Sequence, residues 1–244
     1  LTAKTAYYIQ VATNAVLDTS GNGFAGLTTS TAYDITTATT VGTPIAPTVT
    51  ALTTRSASPT IGGTWGGSNQ GADQLTVSVG GTAYTTSNGL AISGNAWSLA
   101  LSGMVAGTWS VTATTARTGG GSIGDATSNE LVIDQTAPTI ATFTTSGTGI
   151  VNGSGNLATG SVIVITLTGS EALTVTGTPS LTLNSGGTAT YTGQTDATTL
   201  TFAYTVGAGQ NAADLAITGL TGGITDAAGN TLDLTYLSAV GNPG

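Results

Sequence analysis

The chain has no cysteine and no histidine, and only three of its 244 residues are Lys or Arg. Without Cys there is no disulfide framework, no thiolate metal site and no thiol nucleophile. Without His as well, the usual nucleophile–base triads and His-ligated zinc centres are excluded. Lys4, Arg55 and Arg117 are the whole supply of basic side chains, against a net charge of −8. A nucleic-acid surface needs a row of cations for phosphates, so that class is excluded too. No apolar run nears the roughly 18 residues of a membrane-spanning helix, and no stretch sustains the 3.6-residue period of an amphipathic helix. The Gly-rich runs Gly62-Gly63, Gly66-Gly67 and Gly119-Gly120-Gly121 lack the Lys of a phosphate loop and read as hairpin or bulge glycines. A carboxylate-pair hydrolase needs two opposed acids in a cleft, whereas the 11 acids here fall mainly in turns and at joints. An enzyme is not expected.

What the chain has is threonine, about one residue in five, and 37 glycines, with charged residues only 6 % against about 25 % in ordinary domains. Thr suits strands and Gly suits turns, so the mix predicts many short strands joined tightly. Ala46-Pro47-Thr48 recurs as Ala137-Pro138-Thr139, 91 residues on, about the length of one immunoglobulin-like sandwich. At the second copy a strand-like run, Glu130-Leu131-Val132-Ile133, enters Asp134; Pro138 stops the ladder, and Thr139-Ile140-Ala141-Thr142-Phe143 resumes it. The expectation is an all-β chain of tandem immunoglobulin-like β-sandwiches joined by short Pro-containing linkers. Residues 1–39 read as the C-terminal part of a preceding domain and 40–46 as a linker. Sandwiches then fill 47–135 and 136–237, and 238–244 begin another linker.

In the first sandwich the expected strands are 59–65, 74–79, 96–101 and 108–113, with turns at Gly80-Gly81 and Ser87-Asn88-Gly89. Trp97 and Trp109 are expected as core anchors. In the second the expected strands are 162–167, 181–183, 188–191, 200–206 and 215–217. The first of these, the most apolar, should be central, and Asn184-Ser185-Gly186-Gly187 should form a hairpin turn.

Two five-residue devices share one pattern, Asp18-x-x-Gly21-Asn22 and Asp226-x-x-Gly229-Asn230. Gly permits a left-handed backbone, while Asp and Asn can cap the turn with their own side chains. That self-capped turn is one reading. The other is a Ca²⁺ site, since a hard cation takes six to eight oxygens from carboxylates, carbonyls and water. One Asp and one Asn do not suffice, and Glu171, Asp134 or Asp233 are the available further donors. Asp134 likewise has two readings, a cap on the turn before Pro138 or a metal ligand that stiffens the joint. Glu130 reads as a solvated strand residue at a domain edge.

Residues 47–139 resemble the Ig-like repeats of very large bacterial surface adhesins and biofilm-associated proteins. The matching stretches are Pro59-Thr60-Ile61-Gly62-Gly63-Thr64, Asn95-Ala96-Trp97-Ser98-Leu99, Gly107-Thr108-Trp109-Ser110-Val111-Thr112-Ala113 and Ile133-Asp134-Gln135-Thr136-Ala137-Pro138-Thr139. Residues 137–232 resemble a second repeat type, through Gly169-Ser170-Glu171-Ala172-Leu173-Thr174, Asn184-Ser185-Gly186-Gly187-Thr188 and Asp226-Ala227-Ala228-Gly229-Asn230. Residues 1–39 are similar to the end of Ig-like modules in S-layer and related surface proteins. The resemblance implies a secreted, non-enzymatic rod with calcium at some joints. The first joint has Thr43 in place of Asp134, and no calcium is expected there.

The functional expectation is therefore a structural segment of a bacterial extracellular or cell-surface protein, a stalk of Ig-like modules stiffened by Ca²⁺ through Asp134, Glu171, Asp226, Asn230, Asp18 and Asn22. Its partners would be neighbouring modules or identical subunits, the latter if the chain is a self-assembling S-layer or filament subunit. A third class is a module that binds cell-surface glycans, with Trp65 or Tyr84 as a stacking platform.

Overall fold

Short runs in which every second residue is apolar can bury one face only by packing against another sheet. A computed structural model describes residues 6–8, 10–27, 34–36, 44–66, 73–118 and 120–235. Among them there is no α-helix. The chain is all-β, and its buried apolar residues gather into two cores.

The first core lies under ten short strands: β3 (Leu52–Thr54), β4 (Thr60–Thr64), β5 (Asp73–Val79), β6 (Thr82–Tyr84), β7 (Leu90–Ser93), β8 (Ala96–Ala100), β9 (Gly107–Trp109), β10 (Val111–Arg117), β11 (Gly121–Gly124) and β12 (Leu131–Ile133). They form three sheets, ordered β11-β10-β5-β6, β3-β12-β9 and β4-β8-β7. Alternation holds in β5, β8 and β10, which send Val77, Trp97, Leu99, Val111 and Ala113 into the core. One segment ties the sheets together. Thr48 and Thr50 donate to Thr64 and Gly62 on β4; β3, immediately after, pairs in parallel with β12.

Several details depart from the sequence expectations. The strand expected over 108–113 is two strands in different sheets, because Ser110 breaks the ladder and its carbonyl accepts Gly80 N–H instead. Glu130, expected in solvent, is buried at 5 % exposure. Its Oε2 accepts the Val111 N–H just beyond that break, and its Oε1 has no partner. Gly62 and Gly63 lie mid-strand in β4, as the strand expected over 59–65 requires, and in unbroken register with β8 rather than at a hairpin or bulge. A Cβ at Gly63 would lie 1.8 Å from the Thr48 carbonyl, so the strand crossing at Thr48 requires the bare residue. Trp97 is a core residue, whereas Trp109 is half-buried at the core's margin.

The second core lies inside one six-stranded sheet: β13 (Ile140–Ser146), β14 (Val162–Gly169), β15 (Thr174–Leu183), β16 (Thr188–Gln194), β17 (Thr199–Thr205) and β18 (Ile217–Thr225), ordered β13-β14-β17-β16-β15-β18. Single bridges bring the two ends of this sheet together, Thr225 with Thr231 and Thr139 with Asp233. The sheet rolls around Phe202, Ile165, Leu167, Leu181, Leu200 and Ile224, none of them exposed. β14 is interior, as its apolar run predicts. The last strand starts at Ile217 rather than ending there; Gly219, Gly222 and Gly223 dilute its apolar signal.

Before residue 44 the described chain adds β1 (Ala6–Tyr8) paired antiparallel with β2 (Asp34–Thr36), and a hairpin bridged at Val11–Leu27 and Leu17–Gly23. Val16, Leu17 and Phe24 are exposed, and among the described side chains neither core includes one before Val49. Thr43, part of the 40–46 linker and all of 238–244 lie outside the described residues.

Glu130→Ala strands the buried Val111 amide, and denaturant unfolding should show a loss of about 1–3 kcal/mol. Glu130→Gln keeps an acceptor for that amide, so it should stay closer to the wild type than Glu130→Ala. Equal loss in both variants would mean that the amide contact is not what the residue supplies.

Candidate metal centre between the two cores

Three separate parts of the chain meet where β12 ends. Asp134 follows β12 directly, and its N–H continues the ladder by donating to Thr54. Glu171 stands just past β14, held there by reciprocal bonds: Ser170 N–H donates to the Thr139 carbonyl, and Thr139 N–H donates to Ser170 Oγ. Asp226 opens the turn after β18. One carboxylate oxygen from each of these residues lies within 4.8 Å of the others, the one such group among the described residues. Asp226 is buried, and Asp134 and Glu171 are half-buried.

The Asp226 turn is rigid before any ligand is considered. Asp226 N–H donates to the Asn230 carbonyl, Asn230 N–H returns to Asp226 Oδ1 at 2.8 Å, and Asn230 Nδ2 donates to Asp226 Oδ2 at 2.7 Å. Gly229 supplies the left-handed residue, at φ 88°. The same Nδ2 also donates to the Asp134 backbone carbonyl, 2.9 Å away and 96 residues earlier. A backbone bond from Arg55 N–H to the Ala228 carbonyl adds a second tie between the cores.

Electrostatically the cluster is uncompensated. Among the described residues no Lys or Arg forms an ion pair with any of the three acids; the Arg117–Asp73 pair is elsewhere, at the end of the β5–β10 ladder. Burial, with the Asp134 and Asp226 charges beside it, pushes the Glu171 carboxyl above the usual range. The three ligand atoms brought together are all carboxylate oxygens. That inventory fits a hard divalent cation, with water completing the shell. Asp134 Oδ1 meanwhile accepts Thr136 N–H, so the capping and ligand readings of this residue are compatible.

The other acids separate cleanly. Asp18 makes the same turn as Asp226, with Oδ1 accepting Asn22 N–H at 2.9 Å and Oδ2 accepting Asn22 Nδ2 at 2.8 Å. The Asn22 side chain, with the turn's backbone amides, holds the Asp18 carboxyl below its ordinary value. This turn is fully exposed and gathers no further carboxylates among the described residues, so its own donors explain it. Asp233 joins the ladder at Pro138 and caps Thr235, away from the cluster. Trp65 is 7 % exposed, which removes it as an open stacking platform, while Tyr84 is half-buried against the first core. The sequence reading named the three clustered acids but not Ser170, which fixes Glu171.

The raised Glu171 pKa has a sign that can be measured. Folding gains from its proton, so in chelator its contribution is fullest below the ordinary Glu range and is lost as pH rises through the raised value. Thermal melts in chelator from about pH 4 to about pH 8 should therefore show Glu171→Gln gaining on the wild type as pH rises. A difference that stays flat would mean that the three charges do not repel in the folded state.

No protein-family model matches this chain, and no curated protein matches it. Among solved structures it is similar to one from work on host cell surface retention of a 1.5-MDa bacterial ice-binding adhesin. Identity is 21 % over 89 % of this chain and 72 % of that chain, with a TM-score of 0.42.

Proposed function

We propose that this chain is a non-enzymatic structural segment of a bacterial extracellular or cell-surface protein, a rod of immunoglobulin-like β modules whose joint is stiffened by Ca²⁺. The observation that carries the reading is the convergence of Asp134, Glu171 and Asp226 to within 4.8 Å where the two cores meet. A cation held there would bond the linker and the second core together and remove hinge freedom. The segment that lies first along β4 and then along β12 ties two sheets over one core, which supports the immunoglobulin-like assignment, since such a sandwich packs two sheets around a shared core. Low charge and abundant Thr give the rod a polar, weakly charged surface.

Melts in about millimolar Ca²⁺ and in excess chelator test the joint. At one hundred times Kd a ligand stabilises by about 2.7 kcal/mol, a shift of several degrees for modules of this size. Asp134→Ala and Asp226→Ala should abolish the shift. Glu171→Gln should raise the melting temperature in chelator, where it removes a repelling charge, and reduce the gain from calcium, where it removes a ligand. No calcium shift in the wild type would end the metal reading.

A self-assembling S-layer or filament subunit is the second reading, and one feature favours it. β11 is exposed along its whole length and its sequence, Gly-Ser-Ile-Gly, is uncharged. Natural sheets usually guard their edges with charge or proline, and an unguarded edge can accept a strand from another copy. Electron microscopy of the purified chain separates the two, a lattice or polymer for the subunit and isolated rods for the stalk.

A further inference from the structure

At the end of the second core remote from the carboxylates, beyond the start of β14, lies a cavity of about 210 Å³. Its floor is a chain of hydrogen bonds whose direction can be worked out. Gly207 N–H can only donate, and it donates to Gln210 Oε1 at 2.8 Å, which fixes the Gln210 amide. Tyr204 Oη therefore donates to the same Oε1, at 2.9 Å. Ser185 Oγ, 3.1 Å from Tyr204 Oη, must then donate to it, while accepting from Gly187 N–H. With its carbonyl doubly engaged, Gln210 brings to the cavity it lines an amide whose orientation is fixed, so that its N–H₂ end is a donor only.

Two bare glycines make the network possible. A Cβ at Gly187 would lie 2.4 Å from the Tyr204 ring, and one at Gly207 would lie 2.8 Å from Gln210 Oε1. Asn156 and Asn211 add amides at the rim, while Leu157 and Leu215 supply apolar wall. No charged side chain lines the space. Its volume is below the roughly 300–1,000 Å³ of sites for drug-sized ligands, so it admits a single small ring.

The geometry points to a binding site for one neutral, hydroxyl-bearing ring, a pyranose sugar unit. The fixed amide donors meet its oxygens and the leucine wall meets a C–H face. Absence of charge disfavours acidic sugars, phosphates and amines, which would leave their charge unpaired. This site shares no residue with the carboxylate cluster, so sugar binding should be the same in chelator and in calcium.

The test is saturation-transfer NMR on the full chain in chelator with glucose, galactose, mannose and N-acetylglucosamine. Titrations followed at the Asn156, Gln210 and Asn211 amides locate the contact. At least one sugar should bind in the millimolar range or tighter, the usual affinity for so small a ligand. Gln210→Glu keeps the oxygen that Tyr204 and Gly207 need but replaces the donor with an anion; it should weaken binding at least tenfold while the melting temperature stays close to the wild type. Asn211→Trp, at an exposed rim position, should block the mouth with the same result. Absence of saturation transfer from all four sugars would overturn the assignment, as would a sugar that binds both variants as well as the wild type.

Discussion

One side-chain amide sits where the two cores meet. Asn230 Nδ2 donates both to Asp226 Oδ2 and to the Asp134 carbonyl, so the same N–H₂ group closes a local turn and fastens a linker 96 residues away. Buried amides are costly to leave unpaired, and Asn230 is only 7 % exposed. Its need for two acceptors therefore sets where Asp134 lies relative to Asp226. The Arg55–Ala228 bond and the Thr139–Asp233 bridge follow from that placement. Three carboxylates are left close together with no ion pair to a described basic side chain.

Scarcity of charge gives that arrangement its meaning. In a surface rich in Lys and Arg, a cluster of three acids would be neutralised by neighbours and would say little. Here there are three basic residues in all, and the charged arm of Arg117 is engaged bidentately by Asp73, with 2.5 and 2.7 Å contacts that hold the Asp73 carboxyl below its ordinary range. Repulsion among Asp134, Glu171 and Asp226 is thus met by no ion pair among the described residues, and a proton or an external cation would relieve it. The raised Glu171 pKa is the first of these outcomes, and it competes directly with the second.

Much of the fold was legible because it rests on local rules. Alternation in 74–79 and 96–101, the Gly80-Gly81 and Asn184-Ser185-Gly186-Gly187 turns, and the apolar run of β14 each follow from a period of two or from turn chemistry. What sequence alone missed depends on partners distant along the chain. Glu130 is drawn inside because a break at Ser110 leaves an amide to satisfy, and no pattern around Glu130 announces a break twenty residues earlier. The strand over 59–65 was legible, but the reason for a glycine at 63 was not, because it lies in the Thr48 carbonyl that crosses it. The rolled, continuous sheet of the second core is likewise set by pairing order rather than by any one strand.

The Asp18 and Asp226 turns make the limit of motif reading concrete. Both have the pattern Asp-x-x-Gly-Asn, and both form the same hydrogen bonds to within a few tenths of an ångström. The motif therefore encodes a conformation. It does not encode a metal site, because the Asp18 turn gathers no further carboxylate among the described residues and is open to water. The Asp226 turn differs only in what the fold places beside it: a linker acid behind a proline-containing joint and an acid held by a Ser–Thr clasp. Charge density at one place, rather than any five-residue pattern, is what distinguishes a site that attracts a cation from a turn that caps itself.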